Sequence, residues 1–158
     1  MEHWREALTQ ALAAGLQRVR PILGDPRLRC VALDCHPWHG HLGICVLTQQ
    51  EVEHDPSALE PVEMASWRGF GVITGENDGG LEELGARMLS AYLDSVERPA
   101  CARAYLRASA NALVADACVQ ALLRLRRAEG FRLSVTHPDD EEEFVTRMPT
   151  ALMRRPAG

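Results

Sequence analysis

The chain has 158 residues, a formal net charge of −5, 46% apolar residues and 25% charged ones. That length suits one domain with a sizeable core, and a composition this close to the globular average excludes wholesale disorder. No apolar run approaches the ~18 residues that a membrane-crossing helix needs, so no membrane partner is expected.

Charge is unevenly placed. Residues 51–83 hold nine acids (among them Glu51, Glu53, Glu76 and Glu82) against the single Arg68. An acidic middle disfavours general nucleic-acid binding and suits a protein partner with a basic surface. All 17 basic residues are arginine. They are dispersed along the chain, which fits compositional bias better than a phosphate-binding cluster. The amino-terminal stretch has no basic-then-apolar leader pattern, and a cytoplasmic location is the expectation. Five cysteines, odd in number and widely spaced, argue against a disulfide framework and read as small buried apolar residues.

In chain order, residues 2–20 predict a first helix. Trp4, Leu8, Leu12, Leu16 and Val19 recur at helical spacing, and Pro21 with Gly24-Asp25-Pro26 stops it. Residues 28–35 and 42–48 predict the two arms of a β-hairpin. Both faces of both arms are apolar up to Asp34, so the pair should be covered on both sides. Asp55-Pro56 and Pro61 predict short helical turns, and residues 70–73 a short strand. Asn77-Asp78-Gly79-Gly80 opens a helix over 80–96 that Pro99 closes. The alanine-rich stretch 101–128 predicts one long central helix, apolar on two faces and ended by Gly130. Residues 131–136 alternate as a strand, and the acids at 139–143 predict the first turn of a short helix. From Pro149 the chain reads as a tail. The expected architecture is one α+β domain over 1–148, with a small, mainly antiparallel sheet of three or four strands packed against several helices.

The hairpin centre concentrates the residues that carry chemistry: Cys35, His36, His39, His41 and Cys45. Zinc takes imidazole nitrogen and thiolate sulfur in tetrahedral sets. No CxxC, HxxxH or second half-site accompanies these residues, so a turn rimmed by solvated histidines is the favoured reading and no metal or cofactor is expected. Trp38 at the hairpin tip, with Trp67 and Phe70, is a candidate contact surface, since tryptophan is enriched at binding hot spots. The acids at 139–143 fit a helix start better than a cation site, because no Asp-x-Asp-x-Asp-Gly loop is present. Nucleophile-elbow, phosphate-loop and dinucleotide-binding patterns are likewise missing from the sequence.

The element order carries a resemblance. A helix precedes an apolar strand, a tight turn and a second strand ending at Leu47-Thr48-Gln49-Gln50-Glu51. Ala65-Ser66-Trp67 follows, then long helices and a late strand with acids over 131–143. This layout resembles the DUF4303-type bacterial proteins, which are grouped with the immunity proteins of polymorphic toxin systems. The resemblance implies a protein-binding role and no catalytic residues. The resulting expectation is a non-enzymatic, immunity-like protein binding through Trp38, His39, His41 and Trp67. The alternative is a metal- or thiol-dependent enzyme built on Cys35, His39 and His41.

Overall fold

A computed structural model describes residues 1–153. The sheet has four strands: β1 (Leu28–His36), β2 (His41–Thr48), β3 (Gly69–Thr74) and β4 (Arg127–Ser134), in the order β3-β2-β1-β4. The β1–β2 and β2–β3 pairs are antiparallel and β1–β4 is parallel, so the sheet is mixed. The parallel pair follows from the crossover: the chain leaves β3, builds three helices on one face and returns along the far edge beside β1.

Helix α1 (Glu2–Leu23) buries the expected stripe. Its Trp4 indole N–H donates to the Leu84 carbonyl at 3.0 Å, tying α1 to α3 (Gly79–Asp94). Pro21 is accommodated in the last turn, and the helix stops at Gly24, whose left-handed φ of 75° returns its N–H to the Arg20 carbonyl. These helices, with α4 (Arg98–Leu113) and α5 (Asp116–Leu123), cover one face of the sheet and enclose the main core, into which Val31, Leu33, Cys35, Ile44 and Val46 point. The opposite face carries Cys30, Ala32, Cys45 and Leu47. It is roofed by α2 (Gln49–His54), by two 3-10 turns (Pro56–Leu59 and Pro61–Ser66) and by Trp67.

The long helix expected over 101–128 is two helices and the start of a strand. At Val114 the backbone leaves the helical region, and Ala115 is extended (ψ 155°) before Asp116 opens α5. The break redirects the chain so that α5 can pack on α1, a tertiary demand that overrides alanine's helix propensity. Arg127 then begins β4, pairing with Leu28. Its buried guanidinium turns back and donates to the carbonyls of Leu122 (3.0 Å) and Leu125 (3.4 Å), tying the start of β4 to the end of α5.

The acids at 139–143 do not start a helix. Asp140 and Glu142 both pair with Arg103 of α4, while the Glu143 carboxylate accepts the backbone N–H groups of Val135 (2.9 Å) and Val145 (2.8 Å). Tertiary ion pairing and backbone capture use charges that the sequence assigns to a helix dipole. Part of the stretch read as a tail forms α6 (Thr150–Met153), whose Leu152 is buried. The rest of that tail, 154–158, lies outside the described residues.

Candidate functional site

The hairpin tip closes through residues 37–40, with the His39 N–H donating to the His36 carbonyl at 3.1 Å. Gly40 has φ 64° and lies against Gly85 of α3; a Cβ on Gly85 would sit 2.0 Å from the Gly40 carbonyl oxygen. Two glycines therefore let the turn rest directly on helix backbone, which fixes where the histidines point.

The period of two in the strands sorts the chemistry by face. Cys35 points into the main core, where its sulfur lies 3.8 Å from Met88 Sδ and accepts a hydrogen bond from the Ser109 hydroxyl at 3.6 Å. Asp34, His36, His41 and Cys45 lie on the other face. Burial pushes the Cys35 and Cys45 thiols up to about 12, so neither supplies a thiolate at neutral pH. The sheet thus places Cys35 on the face opposite His41, with His39 in the turn between the two strands. Among the described residues no group of three or more His, Cys, Asp and Glu side chains is placed to share a metal ion.

What the structure brings together instead is centred on Asp34, which is only 4% exposed. His36 Nε2 donates to Asp34 Oδ1 at 2.9 Å, and His41 Nε2 lies 3.1 Å from Asp34 Oδ2. Register explains the geometry. His36 is opposite His41, and Asp34 is opposite Gly43, which leaves room for the His41 ring to lean back over the strand. Burial works to raise the Asp34 pKa, but the two imidazole hydrogen bonds and their charge outweigh it and hold the carboxyl at about 2. The same contact raises His41 above the ordinary histidine value, against the opposing effect of burial.

Around this pair stands an aromatic ring of contacts. Trp38 packs against His36, His39, Tyr92 and His137, with centroid distances of 5.7, 6.2, 6.4 and 5.5 Å. A cleft of about 340 Å³ opens beside it, lined by Asp34, His36 and His137 together with Val62, Met64 and Phe70. Phe70, 43% exposed, also borders a second hollow lined by His41, Glu76 and Glu82. Val62, 64% exposed, stands at the rim of the first.

Of the four expected contact residues, Trp38 and His39 meet at the turn and His41 joins Asp34 on the second face. Trp67 lies away from these three, at the floor of a separate hollow. It is 6% exposed and donates its indole N–H to the Ala58 carbonyl at 2.8 Å, closing the second core. The hollow near it, lined by Glu51 and Arg68, offers less chemistry than its charge suggests. The Glu51 carboxylate is consumed by the capping box with Thr48 and by the Arg68 N–H. Asp34 and His137 were missed as site residues. For Asp34 a signal exists: an acid inside an otherwise apolar arm, with a histidine two residues on and therefore on the same face. His137 carries no comparable signal, since it reaches Trp38 only through the fold.

No protein-family model, curated protein or solved structure matches this chain. No helix among the described residues is long and apolar enough to cross a membrane. Fold and site define a small α+β domain with an acidic, aromatic-rimmed cleft at one end of its sheet.

Proposed function

We propose that this protein is a non-enzymatic, immunity-like bacterial protein that binds a partner through the hairpin end of its sheet, the partner presenting a basic surface. One observation carries the reading. Phe70, an exposed aromatic, stands between two hollows, one holding Asp34 and the other Glu76 and Glu82. An apolar anchor flanked by acids is the pattern of a contact that takes affinity from burial and orientation from charge. The net charge of −5 and the acidic stretch over 51–83 agree with a basic partner. The resemblance of the element order to that of DUF4303-type proteins supports the same role.

The test is co-purification and calorimetric titration with the proteins encoded next to its gene. The expected result is a complex that weakens as salt rises tenfold from 50 to 500 mM, which shortens the screening length about threefold. Absence of a complex with every neighbour at low salt would remove the reading.

A further inference from the structure

We propose that the hairpin end is a proton-operated surface: protons taken up by His36 and His39 beside Trp38 cancel most of the negative charge that holds a basic partner, and release it. The inference rests on the binding reading above and adds the regulation of that site.

Three imidazoles crowd one carboxylate. The His36 ring centroid lies 5.9 Å from that of His41 and 6.1 Å from that of His39. Among the described residues, Asp34 is the only acid within ion-pair distance of the three. Both its oxygens are engaged, one by His36 and one by His41. Asp34 balances a single positive charge, and His41, whose contact favours the protonated ring, takes that share. A second or third proton, on His36 or His39, finds no further carboxylate beside it. Solvent reaches all three rings: His36 and His41 keep 28% and 39% of their side chains exposed, and His39 is an exposed residue of the turn.

The neighbouring elements supply the charge that these protons offset. Glu76, in the turn after β3, acts on His41, and Glu82 of α3 lines the same hollow. Glu141, after β4, lines the cleft with Asp34 and His36. Against these three acids His36 and His39 bring two charges on protonation. His137, the fourth imidazole on Trp38, has Asp140 Oδ1 3.5 Å from its Nδ1, so a carboxylate stands ready for its proton. Asp140 and Glu142 also meet Arg103 of α4. Behind Trp38, the Arg98 guanidinium lies 5.8 Å from the Tyr92 ring centre and adds a fixed positive charge. Histidine is the side chain that ordinarily changes charge between about pH 5 and 8, so mild acidification operates this end while its glutamates stay ionised.

Trp38 reads out the event without a partner. Its ring lies 5.7 Å from His36 and 6.2 Å from His39, close enough for an imidazolium to change the field at the indole.

The experiment follows the Trp38 indole N–H of the intact protein by NMR from about pH 7.5 to about pH 5.5, with Trp38→Phe for assignment. Calorimetry at both ends of that range measures the complex with a neighbouring-gene partner at low salt. The double variant His36→Gln/His39→Gln removes both protonations and keeps an amide that can donate to Asp34. His39→Gln alone, at an exposed turn position, keeps the test open should the double variant fold poorly. The Trp38 signal is expected to titrate in the wild type and to move at most about half as far in the double variant. The wild-type complex should weaken about tenfold or more on acidification, and that of the double variant less than about threefold, whatever its affinity at the higher pH. His39→Gln alone should fall between. Comparing losses within each protein removes any titration of the partner itself. A Trp38 signal that does not titrate, or the same acid loss in all three proteins, would overturn the proposal. A titrating Trp38 with a complex indifferent to pH would overturn the release and leave the binding reading standing. A titration diminished in the variants, with no partner complex at either pH, would support proton uptake by His36 and His39 and remove the binding reading.

Discussion

Asp34 and His41 meet diagonally across the hairpin, 3.1 Å apart, because the residue opposite Asp34 is Gly43. A Cβ at position 43 would stand 3.2 Å from His41 Nε2 and 3.4 Å from Thr74 Cγ2. Gly43→Ala is therefore expected to push the imidazole off the carboxylate. The cost should be about 1–2 kcal/mol, the range for weakening one buried charge-assisted contact. Urea unfolding measures that cost, and NMR titration should show the His41 pKa falling back toward its ordinary value. An unchanged His41 titration would show that the glycine does not hold the pair.

The pair also sets a pH dependence. Asp34 is lowered from 3.8 to about 2, so its contribution is fully present above pH 4 and is lost as pH falls toward 2. For this nearly buried carboxylate the contribution is on the order of 2 kcal/mol. His41 is raised, so its contribution is present below pH 6.5 and is lost as pH climbs through its folded value. Both describe one contact and do not add. Denaturant midpoints measured from pH 2 to 8 should pass through a maximum between about 4 and 6.5 as far as this pair decides it. Asp34→Asn should flatten both flanks, and an unchanged profile in that variant would assign the pH dependence to other groups.

The hairpin was legible from sequence because its arms combine period-two apolar residues with a Pro-Trp-His-Gly turn. Its site was half legible: Trp38, His39 and His41 were in view, while Asp34 looked like the end of the apolar pattern rather than the centre of a cluster. The break at Val114–Ala115 was not legible, because alanine favours helix on both sides of it and the demand that redirects the chain is the docking of α5 on α1. The parallel placement of β4 is likewise non-local. The sequence favours a core role for Trp67 more than for Trp38, and the roof over the second face, with Ala58 accepting the Trp67 indole, buries Trp67 while Trp38 stays half-buried.

Arg127 is expected to be one of the most sensitive polar positions. Arg127→Ala would take the buried guanidinium from the Leu125 carbonyl and from the Leu122 carbonyl, which keeps its bond from the Leu125 N–H, and should cost about 1–2 kcal/mol. Arg127→Lys keeps the charge and loses the fork, and should cost less than the alanine change but more than a surface substitution. A loss below about 0.5 kcal/mol in the alanine variant, measured by thermal and urea unfolding, would contradict the capping role.

Thiol labelling of the native protein should be selective. Cys30, Cys35, Cys45 and Cys118 are buried, with thiols pushed up to about 11 for Cys30 and about 12 for the others, whereas Cys101 is half-buried. Reaction with an aromatic disulfide reagent at pH 8 is expected to modify Cys101 first and the other four only on unfolding. Rapid native labelling of Cys35 would reopen the thiol chemistry that its burial argues against.

The most direct test of the binding face is calorimetry of the complex with a neighbouring-gene partner, comparing the wild type with Phe70→Asp. Phe70 is exposed, so the variant should fold. An anchor at the centre of the contact predicts an affinity loss of about thirtyfold or more, equivalent to about 2 kcal/mol. An affinity within about twofold of the wild type would place the partner on another surface and contradict the assignment of the hairpin end.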